Sequence, residues 1–226
     1  PIVVSAVFAA AVTHITTGEN EAIFAASEAL QKVQFTGWEL PNYVLLGLIC
    51  GLLAVGFNRM LHAFENAYAR LKPHWLVAPI TGGLLLGALG VGWILLVRAG
   101  GGAADIQASH IPSFFSNGYE TIRWLLDPAS YDATFGEPKH PEAALPLAIW
   151  LIALLVLFKA LATSLTLASG GSGGVFAPSL FIGAAGGAAL GMALQRLGLL
   201  PADGSPAAYA LVGMAAVIAG STHATL

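Results

Sequence analysis

The chain has 226 residues, of which 9% are charged, and a formal net charge of -3, with a mean hydropathy of +0.77. Soluble domains carry about 25% charged residues; a chain this size with so few cannot clothe a water-facing surface, so its solvent is lipid. Its nine Lys and Arg are scattered without interleaved aromatics, which excludes a nucleic-acid footprint.

A bilayer crossing needs about 20 mostly apolar residues. Pro1–Thr17, "PIVVSAVFAAAVTHITT", supplies most of one and lacks the basic start of a signal peptide. Leu40–Asn58 is a second span, with Pro41 suited to a first helical turn. Its apolar spacing continues through Met60, Leu61, Phe64, Tyr68 and Leu71 with charges between, which predicts one long helix leaving the membrane. Cys50 lies in its apolar run and reads as a buried, inert thiol. Trp75–Val97 is a third span, whose Gly82, Gly83, Gly87, Gly90 and Gly92 suit close helix packing in lipid.

Arg98–Glu142 is a polar interlude, rich in proline, glycine and acids. It reads as an exposed, extracytoplasmic loop region (98–142) holding a short amphipathic helix near Tyr119–Leu126. Ala143–Leu167 follows, apolar except for Lys159, Thr163, Ser164 and Thr166. Val175–Gln195 is apolar and rich in small residues, and Gly183, Gly187 and Gly191 form a ladder suited to helix packing. Ala207–Gly220 is too short to span upright. The reading is all-α and polytopic, one transmembrane domain over 1–226. Both ends read as cut through helices, so the chain is expected to be part of a longer protein, truncated at both ends.

Lys and Arg in short loops set orientation. Arg59, Arg70 and Lys72 cluster after the second span and argue for the cytoplasm. The preceding acidic loop, from Glu19 to Glu39, and the interlude then face outward. The six histidines show no metal-ligand spacing, and neither metal nor cofactor is expected.

Between two apolar segments lies "SGGSGGVFAPSL", Ser169 to Leu180. Irregular backbone at membrane depth survives only inside protein or against a watery cavity. A helix starting near Val175, with Pro178 in its first turn, leaves unpaired N–H groups and the positive dipole end exposed, an anion site. Glycines at 170, 171, 173 and 174 allow close approach of a ligand. No Lys or Arg stands next to the run in sequence, and neutral amides hold a permeating anion weakly enough to release it. The competing reading is helix packing alone. A third is an intramembrane serine protease, since Gly170–Gly174 satisfies G-x-S-x-G and His223 could pair with Ser172. A phosphate-binding P-loop fails, for no GK[ST] follows.

"KALATSLTLASGGSGGVFAPSLFIGA", Lys159 to Ala184, with its G-x-F-x-P core at Gly174–Pro178, closely resembles the signature of bacterial CLC chloride channels and transporters. "YALVGMAAVIAGSTHATL", Tyr209 to Leu226, is similar to that family's next conserved stretch. "FNRML" at Phe57, "EAIFAASEAL" at Glu21 and "GYETI" at Gly118 fall in the expected order. The resemblance implies an all-helical protein of two inverted repeats in the bacterial inner (plasma) membrane, a homodimer with one chloride pathway per subunit. It implies that the backbone amides of Val175 and Phe176 contact the anion, that Gly174 and Ala177 complete the cradle, and that Phe176 lines the pore. It also implies that Ala207–Gly220 belongs to the subunit interface.

Ala168 stands where relatives have glycine, Thr225 replaces a proline, and Arg98–Asn117 diverges. The family's G-S-G-I-P and G-[KR]-E-G-P motifs and its late tyrosine are not in these residues. The expected function is chloride transport by a CLC-type channel or chloride/proton antiporter, and not an enzymatic one. The runner-up is another secondary transporter with a broken-helix anion site.

Overall fold

Leu40 to Leu71 forms one helix, α1, of 32 residues, as the continuous apolar spacing predicts. At about 1.5 Å per residue it is ~48 Å long, more than the ~30 Å hydrocarbon layer. Its first half turns Leu40, Val44, Leu48 and Leu52 outward and buries Leu46, Cys50, Ala54 and Phe57. Its second half exposes Arg59, His62, Glu65 and Arg70, the composition of a helix that has left lipid.

The computed structural model describes residues 37–71, 76–99, 113–132, 149–201 and 204–222. The expected first span, the acidic loop before Gly37, Lys72, 98–112 of the interlude beyond the α2 backbone, 133–148, His223 and Thr225 lie outside the described residues or their described side chains. After α1 come α2 (Val77–Ala99), two short interlude helices, α3 (Tyr119–Leu125) and α4 (Ala129–Asp132), then α5 (Ile149–Ala168), α6 (Phe176–Arg196) and α7 (Pro206–Ser221). Four of these, α1, α2, α5 and α6, are long and apolar enough to cross a membrane, and α7 is a shorter apolar helix. All regular structure among the described residues is helical.

The core is built on small residues. The ladder Gly183, Gly187 and Gly191 of α6 lies directly against the backbone of α7 at Gly213, Tyr209 and Pro206, so a Cβ at any of the three meets main-chain atoms. Pairing of 183 with 213 and 191 with 206 makes the two helices antiparallel. α1 runs alongside α7 in the same direction. Its Tyr43 stacks on Tyr209 at 4.9 Å, and its Asn58 amide donates to the Ser221 carbonyl at 3.2 Å. Asn42 donates to the Leu199 carbonyl at 3.1 Å. Asn42 and Asn58 thus satisfy backbone carbonyls before the start and at the end of α7, which lipid could not do.

Two expectations need correction. The glycines of α2 do not all mediate close packing. Gly82 presses on the Ser169 side chain, while Gly83, Gly87 and Gly92 have open space where a Cβ would stand. The interlude, where described, is not an exposed loop either. Phe114, Ile122, Leu125, Leu126 and Tyr131 are buried in the same core as Trp93, Leu155 and Phe181. Sequence polarity misled because five apolar side chains, dispersed among prolines and acids, suffice to anchor a short segment. The short helix itself stands where the periodicity placed it.

Candidate functional site

α5 ends in a closed cap. The Gly171 amide donates to the Thr166 carbonyl at 2.9 Å and the Gly170 amide to that of Leu167 at 3.1 Å, with Gly170 at φ +90°. That is a Schellman ending, and it gives these two glycines a structural duty. A Cβ on Gly171 would stand 2.7 Å from the Thr166 carbonyl oxygen. The glycine run is therefore two devices in series: Gly170 and Gly171 stop α5, and Ser172–Gly174 lead into α6.

α6 begins at Phe176 behind an N-cap residue, Val175, whose side chain cannot cap. The Val175 carbonyl is saturated, accepting from the Ser179 amide at 3.0 Å and from Ser179 Oγ at 2.7 Å. No described carbonyl or side chain accepts from the amides of Gly174, Val175, Phe176 or Ala177. Pro178 has no N–H, so its place in the first turn costs nothing. The four predicted residues thus share one helix N-terminus. Gly174 is exposed, Val175 and Ala177 are half-buried, and the Phe176 ring is 58% exposed. Helix N-termini leave such donors unpaired and carry about half a positive charge.

Beside this row opens a cavity of about 430 Å³, lined among others by Phe114, Ser116, Lys159, Thr163, Ser172 and Gly174. Lys159 is 3% exposed. Its Nζ donates to the Phe114 carbonyl at 3.0 Å and to that of Ser116 at 2.7 Å, and lies 5.1 Å from the centre of the Phe181 ring. The segment it grips is irregular, with Ser116 at φ 57° and Gly118 at φ 74°. A side chain at Gly118 would collide with Phe181. Trp93 and Phe158, which meet edge to face at 5.2 Å, hold Phe114 from behind.

Lys159 and the 113–118 segment are what the sequence reading missed. No cation stands next to the glycine run along the chain, but one stands beside it in space. The available signal was helical spacing: Lys159, Thr163 and Thr166 at i, i+4 and i+7 make one polar stripe on α5, and all three line the cavity. Ser172 sits exposed on the loop and His223 is outside the described residues, so the serine–histidine pair gains no geometric support. Among the described residues no group of three or more His, Cys, Asp or Glu could hold a metal ion.

The family model described as voltage gated chloride channel matches residues 1–226. Among curated relatives, "Chloride channel protein CLC-f" of Arabidopsis thaliana is 30% identical over 96% of this chain and 25% of its own length. "Putative chloride channel protein ClcB-like" of Ralstonia nicotianae is 30% identical over 100% of this chain and 43% of its own. "Voltage-gated ClC-type chloride channel ClcB" of Salmonella typhimurium is 29% identical over 100% and 45%. The chain spans between a quarter and just under half the length of these relatives.

Proposed function

Because the chain belongs to the voltage gated chloride channel family, we propose that its helices form part of a chloride pathway and that the amides of Gly174, Val175, Phe176 and Ala177 hold the anion. It is an integral membrane protein with helical spans. Its bacterial relatives support placing it in the inner membrane of a bacterium. The pathway needs no cofactor, and a homodimer is the assembly that the family resemblance implies. The observation that carries the reading is the uncapped N-terminus of α6 beside a cavity whose largely apolar wall carries Ser116, Lys159, Thr163 and Ser172.

The energetics say how the ion is held. Half a unit charge at ~4 Å with an effective dielectric of ~20 gives roughly 2 kcal/mol, and two or three charge-assisted amide bonds add about 1.5–3 kcal/mol each. Burying a bare anion costs on the order of tens of kcal/mol. The ion therefore keeps water or meets further groups while it sits at the amides. Weak, neutral holding suits an ion that must leave.

Because the donors are backbone amides, side-chain substitution tests the site poorly. Replacing the peptide link at Phe176 by an ester deletes one N–H and keeps the ring. Chloride affinity by calorimetry on the protein is expected to fall about tenfold or more, while Ser172→Ala has a smaller effect. Unchanged affinity in the ester would remove the cradle.

A further inference from the structure

We propose that Ser179 is a positioning residue of the anion row, setting the direction and strength of the Phe176 amide through a hydroxyl relay that starts on α7. The inference rests on the anion-row reading above and goes past it, for it gives a role to a side chain that is not among the donors. The Val175 carbonyl and the Phe176 N–H belong to one planar trans peptide unit, so they point in opposite directions. Whatever fixes the carbonyl also aims the N–H. That carbonyl accepts twice from Ser179, from its amide at 3.0 Å and from its hydroxyl at 2.7 Å. The N–H on the other side finds no described acceptor.

The bond directions are forced. A carbonyl oxygen only accepts, so the Ser179 hydroxyl proton goes to Val175. Ser179 Oγ then accepts from Ser221 Oγ, 2.9 Å away. The result is a one-way chain from Ser221 to Ser179 to the Val175 peptide, and its free end is the Phe176 N–H. Hydrogen bonds in such chains strengthen one another by about 10–30% per bond where the surroundings are dry. Ser179 and Ser221 are both buried. Ser221 is itself anchored, because Asn58 of α1 donates to its carbonyl at 3.2 Å. A serine or threonine bonding back one turn is by itself an ordinary way to satisfy a hydroxyl in a helix. Thr163 and Thr166 do so on α5, to the Lys159 and Ala162 carbonyls, and neither has a second described hydrogen-bond partner. At Ser179, by contrast, α1, α6 and α7 converge on a single peptide unit, the one whose N–H the anion row needs held.

The test is chloride affinity by calorimetry on the protein, with the Phe176 ester as a second background. Ser179→Ala loosens and depolarises the amide without deleting it. A weakening of about threefold is expected, against the tenfold or more expected of the ester. In the ester background Ser179→Ala should weaken binding no further, because the N–H through which it acts is gone. A purely structural role would cost the same factor in both backgrounds. Ser179→Ala that keeps wild-type affinity, or that costs the ester as much as it costs wild type, overturns the proposal. Should Ser179→Ala fail to fold, Ser221→Ala decides. It leaves the Ser179–Val175 bond and removes the donor behind it, so a loss of about twofold is expected, again absent in the ester. No loss there is equally fatal. An ester that binds chloride like wild type would instead remove the anion row itself.

Discussion

The Ser221 hydroxyl donates to the Ser179 hydroxyl at 2.9 Å, and Ser179 passes a 2.7 Å bond on to the Val175 carbonyl. The end of α7 thereby steadies the residue that caps α6. Ser179→Ala breaks both links and leaves Ser221 its bond to the Ile218 carbonyl. At about 0.5–1.5 kcal/mol per bond, a loss of about 1–2 kcal/mol is expected, read as a lower unfolding midpoint in detergent. An unshifted midpoint would show that the relay contributes nothing.

Glycines that look alike in sequence should part company on substitution. Gly187→Ala drives a Cβ onto the Tyr209 carbonyl and within 3.0 Å of Ala210 Cα. Main chain cannot swing aside, so a cost of about 1–3 kcal/mol is expected. Gly83→Ala on α2 meets nothing within 4 Å and should gain up to ~1 kcal/mol from helix propensity. Equal effects on thermal unfolding would contradict the packing described.

α1 and α2 form a hairpin, with Tyr68 Oη 3.3 Å from Thr81 Oγ1 near its closed end, while the buried Trp93 and the interlude lie at the far end of α2. Arg70 and Asp132 should then face opposite sides of the membrane. With Cys50 replaced, a cysteine at Asp132 is expected to react with an impermeant thiol reagent from outside, and one at Arg70 is not. The reverse pattern would invert the orientation.

The outer face of α7 exposes Leu211, Val212, Ala215 and Ala219, whereas Ala216 is half-buried against the core with Tyr209 and Val217. Ala215→Trp therefore tests assembly without disturbing the interior. If this face joins two subunits, the variant should shift the protein from dimer to monomer on a sizing column. Dimers that persist place the interface elsewhere.

Tyr131 donates to the Leu125 carbonyl at 2.6 Å and is 2% exposed. Burial, and after it the Asp127 carboxylate, hold its phenol above the ordinary tyrosine value. The fold keeps the neutral form, so this contribution is intact below the unfolded value of about 10. Above it, stability falls by up to about 1.4 kcal/mol per pH unit. Between pH 9 and 11.5 the unfolding midpoint of wild type should drop more steeply than that of Tyr131→Phe. Parallel curves would contradict the assignment.

Helices α1, α2, α5 and α6 were legible because lipid demands long apolar windows, and the amide row was legible because glycine followed by proline announces a helix start. The Schellman duty of Gly170 and Gly171 could have been read from α5 ending there, but the run as a whole drew attention to ligands. Lys159 was seen and given no role, since nothing along the chain says that residues 114 and 116 fold back over it. Long-range contacts of 43 and 45 residues in separation are set by aromatic packing around Trp93, which no local pattern reveals. The burial of 113–131 was missed for the same reason.

Where Gly183, Gly187 and Gly191 meet α7, there is no side chain to act as a spring. Rotating α6 about its own axis would push α7 carbonyls into new atoms within a fraction of an ångström, and sliding it would do the same. The two helices therefore move as one beam, and the amides at the tip of α6 inherit its stiffness. If the anion row proposed above lies at that tip, any opening and closing must come from parts displaced more cheaply, such as the exposed Phe176 ring. The amide row would then be the anvil of such a device, and its hammer would lie elsewhere.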